Sequence, residues 1–376
     1  MSLSLPADPP SARSLTGVLP QVLGALTGAP DWFPEARSAI VVMVDGLGRG
    51  NLSARAGHAR FLTGRMAKKD AARTVFPSTT AAALTSLLTG ASPGIHGIVG
   101  YSARVPGVAH AVNQLQGWET DGLDPETWQR SAPLLAREAA SGRPCFVVSN
   151  PSYATTGFTR AIQRGAAFVG VTDPAERFAE AARLATRHPG ALIYLYLSEL
   201  DTAGHAHGWE SERWLTRLEA LDAQVQRFDS ALPAGVGAVL TADHGMVDVP
   251  AERHVLLRTG DPLLHDVALI AGEPRMLHLY ADEDPAALLG RWQDAEGERA
   301  WVLSRADAIE AGLFGHEVAP DVAPRIGDVL VAARAGVAYY DDRVKDKRPQ
   351  RMIGQHGSLT DQERIVPLIR FGAFAR

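Results

Sequence analysis

The sequence predicts an α/β protein built on one large, mostly parallel sheet sandwiched between helices. Three observations predict it. Short apolar runs rich in β-branched residues stop abruptly at Asp-Gly or similar turn residues, as strands buried on both faces do. Segments with helical spacing lie between those runs. Polar residues collect just past the strand ends, the edge at which such sheets build their sites.

In chain order, residues 14–27 read as a leading helix interrupted near Pro20. Residues 40–44 are a buried strand stopped by Asp45-Gly46. Helices are expected at 80–89, 126–140 and 174–187, with a strand at 145–148 between the last two. The run 192–197 is a strand leading into Ser198-Glu199-Leu200-Asp201. Residues 209–231 carry Trp214, Leu218, Leu221 and Val225 at helical spacing, and 239–242 is a strand leading into Asp243-His244-Gly245. Residues 364–371 supply the last strand of the main sheet.

The stretch from about 270 to 345 has a different texture: 276–280 alternates like a strand with one exposed face, helical patterns follow at 284–293 and 305–312, and 328–333 is apolar again. The expected organisation is a catalytic domain of residues 1–270 and 345–376, with 271–344 as a small α+β insert or cap.

Composition narrows the function. With 376 residues and 46% hydrophobic content, the chain is long enough for a substantial core. Its formal net charge of -5 argues against nucleic acid as a partner. A single cysteine, Cys145, rules out an intrachain disulfide and suits a reducing cytoplasm. The start lacks a basic segment followed by an apolar one, and the longest apolar runs are far too short to span a bilayer. A soluble, cytoplasmic protein with no membrane partner is expected; no feature specifies an oligomeric state.

The chemistry lies in scattered polar residues. Asp45 follows one strand, Asp243 and His244 follow another, Asp201 and His205 stand four apart, and His356 sits in Gly354-Gln355-His356-Gly357-Ser358 before the last strand. An aspartate after a strand is usually a turn or cap residue, and a four-residue spacing arises often by chance. Jointly, three aspartates and three histidines at strand ends or in glycine-flanked loops would converge on one edge of one sheet. Carboxylate plus imidazole suits Zn²⁺, and less exclusively Mn²⁺ or Fe²⁺. Six such residues and one hydroxyl suffice for two divalent ions flanking an in-line displacement. The hydroxyl is expected at Thr79-Thr80, where a helix begins: one caps the helix and the next attacks, assisted by free N–H groups at the helix start.

These residues match a known pattern. The chain resembles the alkaline phosphatase superfamily, most closely its type I phosphodiesterases and nucleotide pyrophosphatases. The resemblance covers 40–46, 74–101, 193–208, 239–246 and 353–358, and FPSTTAAALTSLLTGASPGIHGIVGY at 76–101 is its most specific part. It implies a two-zinc site in which Asp201, His205 and His356 hold one ion and Asp45, Asp243, His244 and the nucleophile hold the other. Counted back from Thr89-Gly90, the nucleophile is Thr80 and would pass through a phosphothreonine intermediate. Relatives carry a second Phe-Pro after the nucleophile where this chain has Ala81-Ala82, which keeps Thr79 as the runner-up. Where the diesterases place an asparagine that holds the phosphoryl oxygen, this chain has Tyr101, a candidate substrate contact.

The implied activity is phosphodiester or nucleotide pyrophosphate hydrolysis on a small phosphorylated substrate such as a nucleotide. A phosphomonoesterase or phosphonate hydrolase on the same metal core is the alternative. A non-catalytic binding module is disfavoured by the full residue set, and a sulfatase by the lack of a C/S-x-P-x-R segment. Of the residues outside the set, Tyr194, Tyr196 and Trp214 are expected in the core and His254 in a solvated loop. Glu199 is more often a bystander than a residue supporting Asp201, and His96 either orients the site or fixes a turn.

Overall fold

The computed structural model describes residues 5–6, 8–9 and 11–375. The reading of residues 1–4 as lacking a basic start lies outside them.

Seven strands form the central sheet: β1 (Ser38–Val44), β2 (Ala71–Arg73), β3 (Cys145–Ser149), β4 (Ala167–Gly170), β5 (Leu192–Leu197), β6 (Val236–Thr241) and, near the end of the chain, Ile365–Gly372. With Ile365–Gly372 between β2 and β6, the order continues β6-β1-β5-β3-β4. The pairs β6-β1, β1-β5, β5-β3 and β3-β4 are parallel, and only Ile365–Gly372 runs against its neighbours. The sheet is large and mostly parallel, as the buried runs predict.

Strand β1 shows why. All seven of its residues are buried, and its side chains alternate between two cores. Ala39, Val41 and Met43 pack with helices α1 (Leu15–Leu26) and α2 (Thr80–Thr89) on one face. Ile40, Val42 and Val44 pack with α3 (Pro174–Arg187) and α5 (Glu212–Ala231) on the other. Helix α4 (Glu199–His207) lies between α3 and α5 in the chain. Burying Leu84, Leu87 and Leu88 of α2 contributes roughly 2 kcal/mol each and fixes the helix that begins at Thr80.

Two local expectations change. Helix α1 runs unbroken through Pro20, whose ring packs against Gly90 at the end of α2. In contrast, the helix expected at 126–140 shrinks to Leu134–Ala140 with Pro133 at its cap. A proline there restricts the preceding residue to extended backbone, and 124–129 forms turns instead.

A second, four-stranded antiparallel sheet comprises Val267–Glu273, Met276–Ala281, Val329–Ala333 and Ala300–Ser304, in that spatial order. Helix Pro285–Glu296 covers it through Leu288 and Trp292. Its first strand straddles the expected boundary at 271 and ends at Glu273, which reaches the metal-site edge of the main sheet. Among the described residues, no helix is long and apolar enough to cross a membrane.

Candidate metal centre

Asp45 and Asp243 leave the C-terminal ends of adjacent strands β1 and β6, so parallel pairing alone sets them side by side. Gly46 makes the turn with φ +73°, and the Asp201 Cβ lies 3.1 Å from where a Gly46 Cβ would sit. A larger residue would drive Asp45 and Asp201 apart.

The six expected ligands lie together in one cluster. The ligand atoms of Asp45, Asp243 and His244 lie within 4.8 Å of one another, and so do those of Asp201, His244 and His356. His205 borders the second group, its Nε2 3.3 Å from Asp201 Oδ1. His244 thus stands between both groups. Its Nε2 is 3.4 Å from Asp45 Oδ1 and 3.4 Å from Asp243 Oδ2. Its ring stacks on that of His356 at 3.5 Å between centroids.

All three histidines are oriented alike. The Nδ1 of His205 meets the Gly354 carbonyl at 2.7 Å, that of His244 meets Gly245 at 3.0 Å, and that of His356 meets Ser78 at 3.0 Å. Each Nδ1 therefore carries the hydrogen and donates it, which leaves each Nε2 with a free lone pair for a metal. Burial, and then His244 and His205 nearby, hold the His356 imidazole well below its ordinary pKa, so it stays neutral. The Asp45 carboxyl is pushed well above the usual range by burial, then by the charges of Asp243 and Asp201.

Three carboxylates this close together, two of them buried, crowd negative charge that a cation would offset. Among the described residues, Asp45 Oδ1, Asp201 Oδ1 and Asp243 Oδ2 have no hydrogen-bond partner. Three orphaned carboxylate oxygens and three imidazole lone pairs in one cluster fit a divalent metal centre.

Thr80 is half-buried, and its Oγ1 lies 3.2 Å from His244 Nε2. Thr79 occupies the helix cap position, yet its side chain makes no cap hydrogen bond, contrary to the division of labour expected of the two threonines. Its hydroxyl sits beside Glu273 instead. Tyr101 is mostly buried, with the Asn113 side chain beside its hydroxyl.

Sequence reasoning missed two residues. Tyr196, assigned to the core, donates its phenol hydrogen to Asp45 Oδ2. Glu273, inside the expected insert, lies 4.0 Å from His356 Nδ1, and burial pushes its carboxyl up to about 8. No local motif marks either. Glu199 pairs with Arg177 at 2.8 Å rather than standing behind Asp201. His254 begins a short strand and packs on Tyr340, not in a solvated loop. His96 bonds Ser86 of α2 at 2.8 Å and accepts from the Ile98 N–H at 3.1 Å, tying a turn to the helix that begins at Thr80.

A mostly parallel sheet with this cluster at its carboxyl edge, beside a helix-start threonine, is the architecture of a metal-dependent phosphoester hydrolase. Residues 39–359 match the family described as type I phosphodiesterase / nucleotide pyrophosphatase. The chain belongs to that family and is a phosphoric ester hydrolase.

Solved structures share the fold. Murine ectonucleotide pyrophosphatase / phosphodiesterase 5, as an inactive threonine-to-alanine variant in complex with AMP, superposes with a TM-score of 0.68 at 17% identity, over 90% of this chain and 88% of that one. Phosphonoacetate hydrolase from Sinorhizobium meliloti 1021 in complex with phosphonoacetate gives 0.67 at 19% identity, over 90% and 91%. A phosphopentomutase of Methylobacterium radiotolerans is 42% identical over 62 residues, which span 16% of this chain and only 15% of that protein.

Proposed function

We propose that this protein is a phosphodiesterase or nucleotide pyrophosphatase that works through a phosphothreonine at Thr80. Two divalent ions, Zn²⁺ by ligand chemistry, are held by Asp201, His205 and His356 and by Asp45, Asp243, His244 and Thr80. The substrate is a small phosphorylated molecule of the nucleotide class, and the site of action is the cytoplasm, where Cys145 stays a thiol. Residues 271–344 act as a cap that brings Glu273 to the site.

The observation that carries this reading is the 3.2 Å approach of Thr80 Oγ1 to His244 Nε2, at the one imidazole shared by both ligand groups. The inactive threonine variant of the murine protein with AMP supports the same role for a threonine. Bound divalent cations would ease loss of the hydroxyl proton and offset charge on the phosphoryl oxygens. Thr80 Oγ1 then forms the new P–O bond as the bond to the leaving alcohol or nucleotide breaks. Free N–H groups at the start of α2 hold the phosphoryl oxygens, and water cleaves the phosphothreonine in the second displacement. A phosphomonoesterase or phosphonate hydrolase is the second reading, favoured by Tyr101 in place of an amide donor.

The test compares bis-p-nitrophenyl with mono-p-nitrophenyl phosphate, with and without chelator, in the wild type and in Thr80→Ala. The expected result is chelator-sensitive diester hydrolysis that Thr80→Ala abolishes while bound metal is retained. Full activity in Thr80→Ala with loss in Thr79→Ala would move the nucleophile by one residue. A strong monoester preference would favour the second reading.

A further inference from the structure

The chain is acidic overall, yet one cleft of about 460 Å³ is strongly basic. Arg13, Arg49, Lys68, Lys69 and Arg73 line it, and none belongs to the metal cluster. The cleft lies at the edge of the main sheet, where the segment before α1 runs along β2. The Arg73 N–H donates to the Arg13 carbonyl at 2.7 Å, which brings both backbones to the wall of the cleft, while the Arg13 guanidinium also lies over the Trp32 ring at 5.6 Å. Arg49 Nη2 donates to the Lys68 carbonyl at 3.2 Å and draws that loop in.

The carboxylates nearby do not balance these cations. Asp8 and Asp361 both pair with Arg73, at 3.2 and 2.8 Å, and Asp8 also pairs with Arg364. Two acids thus serve two arginines. Among the described residues, Arg13, Arg49, Lys68 and Lys69 form no ion pair. Arg13 Nη1 and Arg49 Nε are buried donors without an acceptor there. Holding guanidinium donors out of water with nothing to accept from them is costly. A ligand rich in anionic oxygens would supply the acceptors, and arginine forks fit phosphate best.

We propose that this cleft is a second anion site, for a small ligand carrying two or more phosphate groups, distinct from the metal centre. The concave shape and the buried donors favour a compact ligand, and the chain's net negative charge repels a long polyanion. The site can bind an effector or product while hydrolysis proceeds at the metal cluster.

Calorimetric titration of the metal-loaded protein with fructose 1,6-bisphosphate tests this. Binding is expected in the wild type and in Thr80→Ala, and it should weaken as salt is raised. Arg13→Gln/Arg49→Gln should lower affinity about tenfold or more. Because half-buried arginines also affect folding, the exposed pair Lys68→Gln/Lys69→Gln provides an independent variant and should weaken binding as well. Both variants should hydrolyse bis-p-nitrophenyl phosphate at the wild-type rate without the probe. No binding to the wild type, or wild-type affinity in both variants, overturns the proposal.

Discussion

The Tyr196 phenol donates to Asp45 Oδ2 across the parallel pair in which Met43 of β1 faces Tyr196 of β5. That bond occupies one carboxylate oxygen and turns the other, Oδ1, toward His244 Nε2 at 3.4 Å. Burial and the Asp45 charge hold the Tyr196 hydroxyl well above its ordinary pKa, so it remains a donor at any working pH.

Tyr196 is therefore a positioning residue for the proposed metal ligand Asp45. Tyr196→Phe should fold normally and bind Zn²⁺ about 10- to 100-fold more weakly, the range found when partners of metal ligands are removed. Competitive metal titration measures it. Unchanged affinity would show that Asp45 needs no support from the phenol.

Metal removal should leave the protein carrying uncompensated charge. Asp45, Asp201 and Asp243 face one another, and burial plus the other two carboxylates raise the Asp45 pKa. Chelation should lower Tm, because a ligand that binds only the folded state stabilises it. In chelated protein, Asp243→Asn should raise Tm by a few degrees: one charge goes, while the amide oxygen can still accept from the Gly46 and His244 N–H groups at 3.1 and 3.0 Å. The same variant should lose metal-dependent stabilisation. A lower Tm for chelated Asp243→Asn than for chelated wild type would contradict charge crowding as the source of strain.

These relationships separate what a sequence displays from what it conceals. Asp45, Asp243 and His244 are legible because a buried parallel strand must end somewhere, and polar residues at such ends share an edge. His205 is legible by its four-residue spacing from Asp201 on helix α4, His356 by its glycine-flanked loop, and Thr80 by the helix it opens. Tyr196 is concealed because β5 is apolar on both faces, so its side chain reads as core. Glu273 is concealed because it approaches His356 from the end of a strand in the second sheet, at a sequence separation no local pattern spans. Residues 126–140 mislead for a different reason: helical periodicity continues through Pro133, whereas the backbone does not.

The Arg275–Glu363 pair should be a strong stability determinant. It is buried and bidentate, with Nε to Oε1 at 2.7 Å and Nη2 to Oε2 at 2.9 Å. Arg275 also donates to the carbonyls of Ala333, Ala335 and Val337, and Glu363 accepts from the Ser358 N–H at 3.0 Å, two residues from His356. Arg275→Met leaves a buried carboxylate unpaired and should cost about 3–5 kcal/mol in urea unfolding. A loss below ~1 kcal/mol would mean that water or a rearranged side chain replaces the guanidinium.

Acid should destabilise the protein through two histidines remote from the metal centre. The His278 Nδ1 accepts from the Gly327 N–H at 2.9 Å, so Nε2 carries the hydrogen and donates to the Val99 carbonyl at 3.1 Å. Burial lowers His278 to about 4 and His96 to about 3. The unfolded chain titrates near 6.5. Below that value the unfolded state binds protons that the folded state refuses, so the stability these residues confer is complete above about 6.5 and is lost as pH falls through the folded values. Each contributes a slope of up to about 1.4 kcal/mol per pH unit within its window. His278→Gln removes one titrating group. In chelated protein, to keep metal release out of the measurement, its urea midpoint should start below that of the wild type at pH 7.5. The gap should narrow steadily toward pH 4.5. Parallel curves over that range would show that His278 is protonated in the folded state or is not buried in the unprotonated form.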